Sequence, residues 1–271
     1  MNNKKRFNKI AENIKKIKIQ GARNIAKAAL YAYTLNPGEK SRKKLLSLRK
    51  TEPMLTNVLN KIEKISYKKI ISHFDEAQDK INKYAFKLIK NNSIIFTHCH
   101  STNVIKALIY AKKHGKNFQV YNTETRPLFQ GRKTVKELRK AGIKVTMFVD
   151  SAAGDALSKG GEIRKADIVM LGADAILKSG AINKIGSNMF AEIAFHNKVP
   201  VYIVADSWKF SPKNVKIEER DFHEIWKNAP KHLKIKNPAF EKIGKKYIKA
   251  IVSELGVFSF PSFLRKVRQF I

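Results

Sequence analysis

Residues 93–102 read Ser93-Ile94-Ile95-Phe96-Thr97-His98-Cys99-His100-Ser101-Thr102, and how they are parsed decides the fold. Ser93–Phe96 is a short, partly β-branched apolar run, the signature of a buried strand. Thr97–Thr102 is polar, and from Asn103 the apolar residues recur at helical spacing. The stretch therefore reads as strand, loop, helix N-terminus. The loop holds the only cysteine of the chain, flanked by two histidines. Free N–H groups at a helix start attract anions and lower a thiol pKa. A small, inert, buried cysteine would occupy the same place equally well.

Working outward, Phe118–Tyr121, Val145–Val149, Ile168–Leu171 and Val199–Val204 repeat the apolar strand pattern. Helical patterns over 103–114, 132–141, 153–165 and 184–197 lie between or beside them. This alternation predicts βαβ units and a Rossmann-like parallel sheet with helices on both faces. No GxGxxG follows the first strand, so the usual dinucleotide site is not supported; no cofactor is expected. The first ninety residues lack strand signals. Helical spacing runs through 5–33, interrupted at Ile19–Arg23, then through Ser41–Leu48 and 54–90, with the last helix starting from Thr51 or Glu52. The expected class is α/β, with a helical N-terminal domain over 1–90 and a Rossmann-like domain over 91–271. Tyr247–Leu255 reads as an apolar run stopped by Gly256, and residues 260–271 as a basic, aromatic tail.

The chain has 271 residues, 43% hydrophobic, enough for a sizeable core. No apolar run approaches the ~20 residues of a membrane span, and the basic N-terminus leads into an amphipathic pattern. A lone cysteine allows no intrachain disulfide, which suits a reducing cytoplasm. The formal charge is +33, and Lys outnumbers Arg four to one. The lysines are spread over nearly every helix, so the charge reads first as a global lysine bias. A nucleic-acid partner stays open.

In an open parallel sheet, ligands bind beyond the carboxyl ends of the strands. Cys99, Glu124-Thr125-Arg126, Asp150-Ser151, Gly172-Ala173-Asp174 and Asp206-Ser207 with Lys209 all fall there. A thiolate that takes a proton from carbon and a carboxyl kept neutral by burial form an acid–base pair suited to a sugar. Cys99 and Asp174 fit those roles, although Asp174 would serve equally as a helix N-cap. Asn183 and Lys184 precede a helix and suit a phosphate. Arg126 reads either as a second anion anchor or as the partner of Glu124 or Asp150. His98 and His100, two residues apart with no further ligand in view, do not make a metal site.

Four ordered motifs then stand together: IIFTHCHS over Ile94–Ser101, TETRPLFQG over Thr123–Gly131, GADAILKSGAINKIGS over Gly172–Ser187 and NPAFE over Asn237–Glu241. The combination resembles the regulatory alpha, beta and delta subunits of translation initiation factor 2B. It also resembles their enzyme relatives, archaeal ribose-1,5-bisphosphate isomerase and methylthioribose-1-phosphate isomerase. The resemblance runs from about Ile14 to Gly256. It implies a homodimer, through the C-terminal domain, or a homohexamer. It implies Cys99 as catalytic base, Asp174 as acid, and substrate contacts at Gly21, Ala22, Arg23, Arg49, Ser101, Thr102, Asn183, Lys184 and Lys209. The implied ligand is a phosphorylated sugar or a nucleotide, and the implied reaction converts ribose 1,5-bisphosphate to ribulose 1,5-bisphosphate, in archaeal AMP salvage. A translation-factor-like regulator, binding a sugar phosphate or nucleotide and a partner protein such as a translation factor, is the alternative, and a pure binder has no chemical need for the Cys99/Asp174 pair. GADAI in place of GADRI, and a short chain, argue against the methylthioribose enzyme. The chain departs from the isomerase pattern at Gln20-Gly21-Ala22-Arg23 (for Arg-Gly-Ala-Gly), at Lys50 (for Pro) and at His100-Ser101-Thr102 (for Asn-Ser-Lys).

Overall fold

The computed structural model describes residues 2–49, 51–160 and 163–270. Lys50 lies outside the described residues. Five helices come first: α1 (Asn3–Lys15), α2 (Ala22–Leu35), α3 (Glu39–Leu48), α4 (Pro53–Lys61) and α5 (Tyr67–Leu88). The run over 5–33 is two helices, because the chain turns left-handed at Ile17 (φ 58°) before re-entering helix at Ala22. The run over 54–90 is also two. Pro53 opens α4 at a position where its missing N–H costs nothing. Ser66 starts α5 by accepting the Lys69 N–H.

The remainder alternates: β1 (Ser93–Thr97), α6 (Thr102–Lys113), β2 (Phe118–Thr123), α7 (Gln130–Lys140), β3 (Lys144–Phe148), α8 (Ala153–Leu157), β4 (Ile168–Leu171), β5 (Ala175–Leu177), β6 (Gly180–Lys184), α9 (Ser187–His196), β7 (Val201–Val204), β8 (Phe240–Gly244), β9 (Ala250–Ser253), β10 (Gly256–Phe258) and α10 (Phe260–Val267). Seven strands form one sheet in the order β10-β9-β7-β4-β1-β2-β3, parallel except for β10. The chain builds outward from β1 through β2 to β3, then returns to place β4 on the other flank of β1. The order therefore reverses between β1 and β4, the place in such a sheet where ligands bind beyond the strand ends.

Residues along β1 alternate between two cores, as strand geometry requires. Ile94 and Phe96 join Phe190, Leu171, Ile203 and Phe263 on one face. Ile95 joins Val104, Leu108 and Val120 on the other. That second core also takes in Ile81, Ala85 and Ile89, so α5 packs as part of the layer covering the sheet. The change from helices to strands near residue 90 is thus not a break in packing. Trp208, just after β7, packs with Met54, Val58 and Phe74 of α4 and α5. Asn57 donates to the Trp208 and Phe210 carbonyls at 2.7 and 2.9 Å. Lys209, between them, is thereby fixed at the seam between the helices and the sheet.

Several expected elements are shorter or different. The helix over 153–165 closes at Leu157, ahead of a Gly-containing turn. The helix over 184–197 starts only at Ser187, because Gly180–Lys184 is a strand. A three-stranded antiparallel sheet, β5-β6-β8, stands apart from the main one. Gly256 does not end the run before it but opens β10, which pairs antiparallel with β9.

Candidate active site

A cavity of about 160 Å³ opens where the strand order reverses. Its wall brings together Gly21, Ala22, Arg23, Arg49, Cys99, Ser101, Thr102, Asp174, Asn183, Lys184 and Lys209. Arg126 is not among the lining residues. Its guanidinium donates to the Ile225 carbonyl at 3.3 Å and lies over the Phe129 ring, while its backbone N–H, not its side chain, meets Asp150. Gln20, Glu52, Lys133, Arg220 and Phe240 also line the cavity.

Cys99 sits in left-handed backbone (φ 65°), a conformation a β-carbon disfavours by about 1–3 kcal/mol. The surroundings hold it there. Its N–H donates to Thr125 Oγ1 at 3.0 Å, and its carbonyl accepts the Thr134 hydroxyl at 2.7 Å. Thr125 is itself left-handed and is pinned by a 2.8 Å bond from its N–H to Asp150. His98 locks the same loop. Its Nε2 meets the Ile185 carbonyl at 2.9 Å, and a carbonyl can only accept, so Nε2 carries the proton. Nδ1 then accepts the Thr123 hydroxyl at 2.5 Å. Burial pushes His98 down to about 4, so the neutral ring is the working form of this brace. His100 meets Thr134 at 3.2 Å through Nδ1. Both histidines thus buttress the loop. Among the described residues the one His-and-carboxylate group compact enough for a cation is His73, Asp206 and Glu254, away from the cavity. The Glu254 carboxylate there accepts the Ser207 N–H and hydroxyl, and Asp206 accepts the Trp208 N–H.

The sequence expectation that a helix N-terminus depresses the thiol pKa does not hold. Burial pushes Cys99 up to about 11, and Lys184 only partly counters it. Asp174 is no helix cap. It occupies the turn between β4 and β5, where its N–H donates to the Ile182 carbonyl at 2.8 Å. Burial raises its carboxyl above the usual range, against Lys209, Lys184 and Arg49, which pull it down.

The cavity's cations come from separate elements. Lys184 ends β6 with its ammonium 5.2 Å from the centre of the Phe240 ring. Lys209 donates to the Ala173 carbonyl at 2.5 Å, next to Asp174. Arg49, 7% exposed, has Nη2 at 3.3 Å from Glu218, while its Nε and Nη1 are buried without a partner. Arg23 is tied to Asp75 at 2.6 Å through one nitrogen and leaves Nη1 buried and unpaired. Helices α2 and α6 both begin at this wall, and neither has a side-chain cap. The Ser101 side chain, at the α6 N-cap, lies against Gly172 instead. Asn183 donates to Ser187 at 2.8 Å and so joins β6 to the start of α9. Glu241 accepts the Asn188 N–H at 2.7 Å, which gives the NPAFE motif the task of holding that helix start.

Glu52, Lys133 and Arg220 are the lining groups that sequence reasoning passed over. Glu52 left a trace only as an acidic residue before Pro53. Arg220 lies in the irregular 211–239 connection, where periodicity carries no signal.

Comparison with known proteins agrees with this geometry. A ribose 1,5-bisphosphate isomerase of Archaeoglobus fulgidus is 35% identical, over 79% of this chain and 77% of that protein. One of Methanocaldococcus jannaschii is 36% identical, over 91% of this chain and 89% of its own length. In fold, the chain is similar to the translation initiation factor eIF-2B of Pyrococcus horikoshii, with a TM-score of 0.82, 25% identity and coverage of 95% and 98%. The sequence model of the Initiation factor 2 subunit family matches residues 50–260. That span takes in Cys99, Asp174 and every lining residue from Glu52 onward, and the chain belongs to the Initiation factor 2 subunit family.

Proposed function

We propose that this protein is a sugar-phosphate aldose–ketose isomerase converting ribose 1,5-bisphosphate to ribulose 1,5-bisphosphate, as in AMP salvage. One observation carries the reading. Cys99 and Asp174 open into a single cavity whose wall bears six Lys or Arg side chains against two carboxylates. A thiol and a neutral carboxyl supply base and acid, and the excess positive charge suits a substrate with phosphate groups.

Asp174 gives its proton to the ring oxygen as the C1–O bond breaks, and the Cys99 thiolate takes the proton from C2. The enol closes to the ketone when C1 takes the proton from Cys99 and the C2 hydroxyl returns one to Asp174. Every atom is accounted for, and no oxidant is needed. A thiol held at about 11 is a strong base once ionised. Cys99 gives up its own proton to solvent before the step, while the carboxyl that burial favours as neutral keeps the proton it donates.

Arg49 with two unpartnered N–H groups, Lys184, Asn183 and the uncapped α2 and α6 N-termini support phosphate binding. Gly21, Ala22, Arg23, Ser101, Thr102 and Lys209 belong to the same set, and Arg126 to the surrounding loop. A homodimer or homohexamer and a cytoplasmic setting that keeps the thiol reduced complete the reading. No helix of the described residues is long and apolar enough to cross a membrane.

The likeness to eIF-2B supports a second reading, a regulator that binds a sugar phosphate or nucleotide without converting it. One assay separates the two: purified protein with ribose 1,5-bisphosphate, scored for ribulose 1,5-bisphosphate, beside Cys99→Ser and Asp174→Asn. Turnover lost in both variants is expected. Binding without turnover in the wild type would leave the regulator.

A further inference from the structure

Glu52 is 2% exposed, yet it lines the cavity. It stands at the N-cap position of α4 but makes no capping hydrogen bond, and its Oε2 is buried with no partner. Its nearest cation is Arg49, 4.0 Å from Oε1, and that guanidinium is engaged more closely by Glu218 at 3.3 Å. An ionised carboxylate so poorly paired in the interior would be costly. A protonated one costs far less.

We infer that Glu52 is a positioning residue for the acid: with Asp174 it forms a pair of carboxyls in one cavity wall that keeps a proton among the cavity's cations through neutral pH. The isomerase reading enters only in calling Asp174 the acid. The groups acting on the pair come from four parts of the chain. Arg49, at the end of α3, and Lys209, after β7, act on both carboxyls, as does Glu218 from the 211–239 connection. Lys184 of β6 faces Asp174. Asp174 itself, from the β4–β5 turn, is after burial the largest influence raising Glu52. Alone, Asp174 would face three cations that strip its proton, opposed by burial and Glu218. A second carboxyl in the same wall resists that loss, because two carboxylates lining one cavity repel. Protons then leave the pair in two steps that belong to both groups.

The test is an infrared difference titration of the full-length protein in the carboxyl-stretch region. Wild type, Glu52→Gln and Asp174→Asn are compared, with Glu52→Asp taken if the glutamine variant does not fold. A buried protonated carboxyl at neutral pH is expected in the wild type. Its midpoint should move toward acid by about one pH unit or more in Glu52→Gln. The kcat/KM limb belonging to the carboxyl should move the same way, with at least a tenfold loss of kcat/KM and a smaller change in KM. A merely structural glutamate would lower stability and leave midpoint and limb in place. No protonated carboxyl at neutral pH, or an unmoved midpoint, overturns the pair. If the wild type shows no turnover, the isomerase reading falls, and the infrared midpoint still decides the pair.

Discussion

Gly172 lies directly against Ser101: a β-carbon on Gly172 would fall 2.4 Å from the Ser101 Oγ and 2.6 Å from its Cβ. The loop after β4 and the start of α6 are packed together at the strand reversal, with Asp174 two residues from one partner and Cys99 two from the other. Gly172→Ala must push these loops apart. It should destabilise the protein by about 1–3 kcal/mol and reduce turnover at least tenfold. Adding Ser101→Gly should recover part of the stability, because it removes both clashing atoms. Thermal melts and isomerase rates of the single and double variants check this.

Cys99 is the only thiol, so its alkylation can be followed without ambiguity. With burial holding it near 11, its thiolate fraction at pH 8 should be about a hundredfold below that of an ordinary cysteine. Iodoacetamide should react slowly at neutral pH and faster with each step toward pH 11. Lys184→Met should slow it further, since Lys184 is the charge that favours the thiolate. A rate already at its plateau at pH 8 would contradict the burial argument.

His98 gives an acid-side prediction. Its folded pKa lies below its unfolded one, so the unfolded chain binds the extra proton first. Stability from this residue is complete above about pH 6.5 and is lost as pH falls toward 4, by roughly 3 kcal/mol at most. Urea melts between pH 7 and 4 should show this slope in the wild type and a shallower one in His98→Gln. Thr123→Val, which removes the hydroxyl bonded to Nδ1, should destabilise at neutral pH as well.

Phosphate binding separates the arginines. Arg49 offers buried, unpartnered N–H groups, and Lys184 stands at the cavity wall. Replacing either with alanine should raise KM by about tenfold or more, the worth of a charged hydrogen bond. Arg126 spends its guanidinium on Ile225 and Phe129. Arg126→Ala should leave KM within about threefold. A large KM effect from Arg126 alone would mean that its loop reorganises around the substrate.

The parallel sheet was legible because its central strands are buried on both faces and read as continuous apolar runs. Ile94–Phe96 and Ile168–Leu171 carry that signal without turn residues inside them. The edge strand β3 has no fully buried residue, and only the apolar run Val145–Val149 betrayed it. The small sheet was hidden because β5 has three residues and β6, Gly180–Lys184, begins with glycine and ends in Asn-Lys, like a helix approach. Cys99 and Asp174 could be placed at one edge from topology alone, since both follow strands. Glu52 could not: its meaning comes from burial near Arg49 in a cavity wall that Asp174 also lines, and Asp174 is far away in sequence. The thiol was misjudged for a similar reason, since a helix dipole is visible in sequence and desolvation is not.

Asp174 and Lys184 are the two ends of one hairpin. Backbone pairing from Ala175–Ile182 to Leu177–Gly180 links them, and the Asp174 N–H to Ile182 bond closes it. The backbone positions of Asp174 and Lys184 therefore cannot drift independently. The spacing of their Cα atoms is set by peptide units, as on a ruler, and not by side-chain packing. Under the isomerase reading, a change of substrate that altered the span from reacting carbon to phosphate would demand a new hairpin register, whereas a change at the far side of the cavity would need only new side chains.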